Sequence, residues 1–199
     1  RGDRFEYDAR PQHTRFLPLL DAGVQPLQVL LEQSHKRGME FMAGMRVNDD
    51  HGHISVEQGV GAGSSFVTEN PQWHLKEEPG SIRAKLGAIM DFTFSEVRDY
   101  VFEAASEILE QFDVDGLEIC FRDRGYFPMG VGRERMPLMT ELVARIGEKL
   151  HGKGKNLELG VRIPESMEEC LDTGLDVPTW ISDGLVNYVA PQQVMYTAT

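Results

Sequence analysis

This chain of 199 residues has only two cysteines, no long apolar run and no net positive charge. Each of these features argues against a class of protein. The only cysteines, Cys120 and Cys170, cannot build a disulfide framework, and their spacing matches no metal-binding motif. No stretch approaches the roughly 18 consecutive apolar residues of a membrane helix. The formal net charge of −12 argues against nucleic acid or an anionic membrane as a partner, because both bind basic surfaces.

Four short runs alternate apolar side chains with polar side chains or glycine, as residues on a β-strand do. The runs are Met39–Asn48, Gly116–Arg122, Leu157–Pro164 and Leu185–Pro191. In the first three runs the odd-numbered residues are apolar. The even-numbered positions include Glu40, Arg46, Asn48, Glu118, Cys120, Arg122, Glu158 and Arg162, with the apolar Met42 as the one clear exception. Each run therefore predicts a strand with one apolar face and one polar face.

Helical patterns separate these runs, which predicts parallel strands joined by crossover helices. The predicted helices are Arg15–Asp21, Gln25–Arg37, Ser95–Phe112, Met136–His151, Glu165–Thr173 and Val177–Ser182, with a long loop from Asn48 to about Leu86. Parallel strands with covered outer faces and polar inner groups are typical of a barrel. A closed eight-stranded barrel takes about 250 residues. We therefore expect an α/β fold: a partial (βα)₈ TIM-type barrel of about four parallel strands with flanking helices, forming one incomplete domain over residues 1–199.

Three short motifs carry a resemblance to a known family: Arg46–Asp49 (RVND), Val114–Glu118 (VDGLE) and Gly160–Pro164 (GVRIP). From about Phe16 to Pro191 the chain resembles the glycosyl hydrolase-like barrel proteins described as family 10 glycosylhydrolase-like. The resemblance implies a (βα)₈ barrel of which strands three to six are present. It also implies a carbohydrate-active protein. The family commonly has an acid two residues after the strand-four glutamate, and this chain has Cys120 there.

Glycoside hydrolysis requires two carboxyl groups, about 5 Å apart for retention or roughly 6.5–9.5 Å apart for inversion. We predict Glu118 as the catalytic carboxylate, with Asp49 or Asp123 at neighbouring strand ends as its partner. Pairing with an arginine would hold Glu118 ionised, which suits a base or nucleophile rather than a general acid. The alternative is that Glu118 belongs to a structural ion pair.

Three arginines, Arg46, Arg122 and Arg162, are predicted to converge on the polar face. Guanidinium groups bind carboxylate, sulfate or phosphate in a bidentate manner. We therefore predict an acidic sugar or another small anion as ligand, with Asn48 as a further polar contact and Tyr126 as a stacking ring. The alternative is that these arginines form internal salt bridges with glutamates, for which Glu40, Glu118 and Glu158 are candidates.

His51 and His53 follow Asp49 and Asp50, which suggests a metal-dependent hydrolase as a further alternative. The other histidines do not lie at later strand ends, so no complete ligand set is predicted. The sequence therefore predicts no metal and no cofactor.

Two further expectations concern function and assembly. If the missing acid at Cys120 abolishes hydrolysis, the protein would be a non-catalytic carbohydrate- or anion-binding barrel. If only four strands are present, the outer two have open edges, and we expect a homo-oligomer formed through them.

Overall fold

The computed structural model describes residues 17–48, 65–76, 89–121, 125–153 and 156–192. The described residues divide into two compact units, one drawn from residues 1–40 and 49–90 and the other from residues 41–48 and 91–199. The prediction of a single domain over the whole chain stays a prediction. No helix within the described ranges is both long enough and apolar enough to cross a membrane.

The first unit contains short helices. They are α1 (Leu17–Asp21), α2 (Pro26–His35), α3 (Ser65–Thr68) and a 3₁₀ turn (Pro71–Trp73). Pro26 is the first residue of α2, where its fixed φ angle suits a helix start and its missing N–H costs no hydrogen bond. The predicted loop from Asn48 to Leu86 therefore contains helical turns in its described part. The side-chain amide of Asn70 donates to the carbonyl of Phe66, and the rings of Phe66 and Trp73 lie 5.0 Å apart.

The second unit alternates strands and helices. Its elements are β1 (Met42–Arg46), α4 (Ser95–Gln111), β2 (Gly116–Cys120), α5 (Gly132–His151), β3 (Glu158–Pro164), α6 (Met167–Asp172), α7 (Val177–Ser182) and β4 (Tyr188–Gln192). The strands form one sheet in the order β1-β2-β3-β4, and every neighbouring pair is parallel. This confirms the predicted α/β class with four parallel strands and flanking helices.

The odd-numbered strand residues form the apolar face of the sheet, which is the core of this unit. The buried members are Ala43, Leu117, Ile119, Leu159, Val161 and Ile163. Helices cover this face: a Cβ atom at Gly147 of α5 would lie 3.6 Å from Leu159 Cδ2. The ring of Trp180 in α7 lies 5.5 Å from that of Phe121, and its indole N–H donates to Thr140 Oγ1 at 2.9 Å. The even-numbered residues therefore lie on the opposite, polar face.

Helix α5 begins at Gly132, four residues earlier than predicted. A start at Met136 would place Pro137 in the first turn, where proline is tolerated, whereas in the structure Pro137 lies inside α5. Tertiary contacts favour the earlier start. A Cβ atom at Gly132 would lie 2.1 Å from the carbonyl oxygen of Asp172, so only glycine allows α5 to approach α6 so closely. Arg133 then donates to Asp172 Oδ1 at 2.7 Å.

Strand β4 begins at Tyr188 rather than at the predicted Leu185. The N–H of Leu185 donates to the carbonyl of Trp180, which keeps Leu185 in the turn that follows α7. Strand pairing with β3 starts only once Asn187 exchanges hydrogen bonds with Leu159: its N–H donates to the Leu159 carbonyl, and its side-chain oxygen accepts from the Leu159 N–H.

Candidate functional site

The strand register places the polar side chains in rows across the sheet. Gly44, Glu118, Gly160 and Tyr188 form one row, from β1 to β4. Arg46, Cys120, Arg162 and Ala190 form the next row toward the carboxyl ends of the strands. Because partners in a parallel sheet point to the same face, both rows share the polar face. Function in barrel folds is concentrated toward these carboxyl ends.

Glu118 and Arg162 form an ion pair on this face. Arg162 Nε donates to Glu118 Oε1 at 2.8 Å, and Arg162 Nη2 lies 2.7 Å from the same oxygen. The Glu118 side chain is 17% exposed and that of Arg162 is 38% exposed. The hydrogen bond that Arg162 donates to Glu118, together with the attraction between their charges, raises the pKa of Arg162 above its usual range. The pair therefore fixes the position of a carboxyl group at a site that still reaches solvent.

Tyr188 makes the other contact to this carboxylate. Its hydroxyl donates to Glu118 Oε2 at 3.1 Å, across the intervening strand β3. The ring fits because β3 has Gly160 in the same row: a Cβ atom there would lie 2.0 Å from Tyr188 Cζ. Burial first, and then the hydrogen bond to Glu118, raise the pKa of Tyr188 to about 12, so the hydroxyl remains a donor at neutral pH.

Tyr188 was not among the residues predicted from the sequence. The signal was available, because its even number gives it the same parity as Glu118 and Arg162. The alternation in Leu185–Pro191 is too weak to reveal that face without the register, since Val186, Val189 and Ala190 are all apolar or small.

Arg46 and Cys120 extend the candidate site on the β1 side. Arg46 is exposed and pairs in register with the half-buried Cys120, which pairs in turn with Arg162. The structure therefore brings Arg46, Glu118 and Arg162 to one face. Of the predicted internal salt bridges, the described residues show the one between Arg162 and Glu118.

Asn48 lies just beyond the end of β1 and joins two strand ends. Its φ angle is +58°, in the left-handed region that asparagine tolerates better than most residues. Its side-chain amide donates to the carbonyl of Gly125 at 2.5 Å. This contact connects the segment after β1 to the segment after β2.

Tyr126 lies in the core rather than on the polar face. It is 1% exposed, and its ring packs edge-on against Phe92 and Phe121 at centroid distances of 5.4 and 5.7 Å. In this conformation it offers no ring face to a ligand, so we leave it out of the proposed site.

Several predicted residues lie outside the described residues: Asp49, Asp50, His51, His53, Arg122 and Asp123. Within the ranges that the structure describes, no group of three or more His, Cys, Asp or Glu residues could hold a metal ion.

Comparison with protein families gives one match: residues 6–138 match the model of the glycosyl hydrolase-like 10 family. No curated protein matches the chain. Among solved structures, a GH36 α-galactosidase from Geobacillus stearothermophilus, solved in complex with 1-deoxygalactonojirimycin, is similar with a TM-score of 0.52 and 15% identity. The similarity covers 85% of this chain and 22% of the α-galactosidase. It shows the fold: the four parallel strands with their helices form part of a TIM-type barrel.

Two α-amylases are similar at lower scores. The Anoxybacillus enzyme has a TM-score of 0.46 and 13% identity, covering 78% of this chain and 34% of the amylase. The maltogenic enzyme AmyB from Thermotoga neapolitana has a TM-score of 0.43 and 19% identity, covering 68% of this chain and 27% of the amylase. The chain thus spans about a fifth to a third of the length of these three solved structures.

Proposed function

The chain belongs to the glycosyl hydrolase-like 10 family, and from this we propose that its polar sheet face binds a carbohydrate, with Glu118 as the carboxylate that contacts it. The observation that carries the proposal is the arrangement around Glu118. Arg162 and Tyr188 engage both of its oxygens from one side, so the side chain is fixed in position. A fixed carboxylate of this kind accepts hydrogen bonds from sugar hydroxyls without losing conformational entropy on binding.

If the protein hydrolyses its ligand, Glu118 acts as base or nucleophile. Both oxygens of Glu118 already accept hydrogen bonds, from Arg162 and Tyr188, so this group is poorly placed to donate a proton to a leaving oxygen. A second carboxyl group must therefore serve as the acid. Asp49 and Asp123 are the proposed candidates. The hydrogen bond from Asn48 to Gly125 supports this, because it joins the residue before Asp49 to a residue shortly after Asp123.

We further propose that the sugar is acidic. Arg46 is exposed and lies in the same row as Arg162 on the polar face, so we propose it as a contact for the carboxylate of a uronate. Arg122 is proposed as a second contact. A guanidinium group gives the bidentate geometry that such a carboxylate requires.

The second candidate function is carbohydrate or anion binding without hydrolysis. It is favoured by Cys120, which stands where the resemblance implies an acid. A thiol there cannot replace a carboxylate in acid–base catalysis of glycoside cleavage.

The test is Glu118→Gln, which keeps the shape of the side chain and removes its charge. Release of 4-nitrophenol from 4-nitrophenyl glucuronide and glucoside should fall by roughly 10²–10⁴-fold, the usual contribution of such a group. Glu158→Gln is the matched control, because Glu158 is an exposed carboxylate on the same face of β3, at the opposite end from Arg162.

Three outcomes separate the alternatives. Hydrolysis that survives E118Q would place the chemistry elsewhere. Binding of glucuronate by the unaltered chain without any hydrolysis would favour the binding protein. If the chain neither binds nor cleaves these sugars, the proposed carbohydrate function is wrong.

A further inference from the structure

We propose that Tyr188 is a positioning residue for Glu118: its hydroxyl holds Oε2, so that the carboxyl group meets a sugar hydroxyl in one orientation. The inference rests on the proposed carbohydrate function. It adds a residue that acts on the ligand through Glu118 rather than by touching the ligand itself.

Arg162 by itself fixes one oxygen of Glu118. In a fork-to-fork ion pair, two nitrogens of the guanidinium group contact the two oxygens of the carboxylate. Here both nitrogens contact the same oxygen: Arg162 Nε donates to Oε1 at 2.8 Å, and Nη2 lies 2.7 Å from Oε1. Because the terminal torsion of glutamate has no sharp minimum, a carboxyl group held at one oxygen can still pivot about it. The ion pair therefore leaves the position of Oε2 to be set by another contact.

Tyr188 makes that contact. Its hydroxyl donates to Oε2 at 3.1 Å, so that Arg162 on β3 and Tyr188 on β4 each hold one oxygen of Glu118. A tyrosine hydroxyl has one hydrogen to donate. Burial first, and then the hydrogen bond to Glu118, raise the pKa of Tyr188 to about 12, so this hydrogen is present at neutral pH. Two held oxygens define the plane of the carboxyl group, which one held oxygen does not.

The Tyr188 side chain is itself held in place by β3. Its register partner is Gly160, and the ring lies so close to the Gly160 backbone that a Cβ atom there would clash with it. The preceding residue, Asn187, is joined to Leu159 by two hydrogen bonds, of 2.7 Å through its N–H and 2.8 Å through its side-chain oxygen. Because a tyrosine side chain has only two torsion angles, a packed ring brings its hydroxyl to a fixed point.

This arrangement has a consequence for binding. A carboxyl group with a fixed plane presents its remaining lone pairs in fixed directions, so a sugar hydroxyl can meet them without first ordering the side chain. Ordering one flexible side chain on binding weakens affinity by roughly two- to tenfold. We expect the hydroxyl of Tyr188 to remove that loss.

The test is Tyr188→Phe, which keeps the ring over Gly160 and removes the hydroxyl. Isothermal titration calorimetry follows the binding of D-glucuronate and of D-glucose, and Y188F should bind both roughly two- to tenfold more weakly than the unaltered chain. In crystal structures, Glu118 Oε2 should be displaced or occupy two positions in Y188F, while Oε1 stays on Arg162. Replacing Tyr188 by 4-aminophenylalanine keeps a hydrogen-bond donor at the same ring position and should restore both binding and the position of Oε2.

Tyr100→Phe is the matched control. It removes the hydroxyl of a tyrosine that is half-buried, as Tyr188 is, but lies in helix α4. Binding should be unchanged in Y100F.

The outcomes separate this role from the proposed function. If Y188F binds both sugars as the unaltered chain does while E118Q loses binding, the positioning role is wrong and the proposed function stands. If Y188F binds more weakly but Glu118 keeps its conformation, or if 4-aminophenylalanine fails to restore binding, Tyr188 affects the ligand by another route and the positioning role is again wrong. If the unaltered chain binds neither sugar, the proposed function and the positioning role are both overturned.

Discussion

The two faces of the parallel sheet differ in what covers them. On the apolar face, Leu117, Leu159 and Val161 are at most 1% exposed beneath the helices. On the polar face, the neighbouring residues of the same strands, Glu118 and Arg162, remain partly exposed and contact each other. Because successive strand residues alternate between faces, one five-residue strand contributes to both the core and the candidate site. Packing of the apolar face against the helices therefore holds the strands in place. The polar groups on the other face, where we propose that a ligand binds, are positioned by the same strands.

This difference predicts that the largest loss of stability comes from the apolar face. Leu159→Ala removes a fully buried side chain of β3 that packs against α5, and we expect the free energy of unfolding to fall by about 2–5 kcal/mol. Urea denaturation followed by circular dichroism measures it. Glu158→Ala changes the preceding residue, which is exposed on the polar face, and should change the free energy by roughly 0.5 kcal/mol or less. Equal losses in both variants would contradict the division between the faces.

A smaller loss is expected where the polar face is itself packed. Gly160→Ala would place a methyl group against the Tyr188 ring, displacing the ring and its hydroxyl from Glu118. We expect the free energy of unfolding to fall by about 1–3 kcal/mol, as in other overpacked sites.

A double-mutant cycle tests the cause of that loss. In the Tyr188→Ala background the ring is absent, so Gly160→Ala should cost almost nothing. In the Tyr188→Phe background the ring is retained, so the cost should persist. An unchanged cost in the alanine background would show that Gly160 is required for some other reason.

The strands were predictable from the sequence because alternation is a local property of the chain. Odd-numbered apolar residues such as Leu117 and Leu159 identify the buried face, and glycines and turns mark the strand ends. Their parallel arrangement followed from the helices between them. The position of Glu118 beside Arg162 followed from parity together with adjacent strands. These features need no knowledge of side-chain packing.

The remaining features depend on packing between distant residues. The contact of Tyr188 with Glu118 crosses β3 and requires both the register and the small size of Gly160. The burial of Tyr126 depends on Phe92, which is 34 positions earlier and joins the core through a backbone hydrogen bond to Tyr126. The early start of α5 depends on its approach to Asp172. Sequence spacing alone does not contain these distances.

The smallest expected effect is a pH dependence from the polar face. The pKa of Tyr188 is raised to about 12 in the folded protein, against 10 for an ordinary tyrosine. The folded state therefore holds the phenolic proton more tightly than the unfolded state does. The resulting stabilisation is complete below pH 10 and is lost as the pH rises from 10 to about 12.

Tyr188→Phe removes this titration while keeping the ring over Gly160. The free energy of unfolding should therefore be higher in the unaltered chain than in Y188F at pH 8, and the difference should shrink as the pH rises above 10. Urea denaturation of both proteins at pH 8, 9, 10 and 11 measures the difference and cancels the contribution of the other tyrosines. A difference that stays constant over this range would mean that the Tyr188 hydroxyl is not held by Glu118. The packing of Tyr188 over Gly160 would then depend on its ring alone.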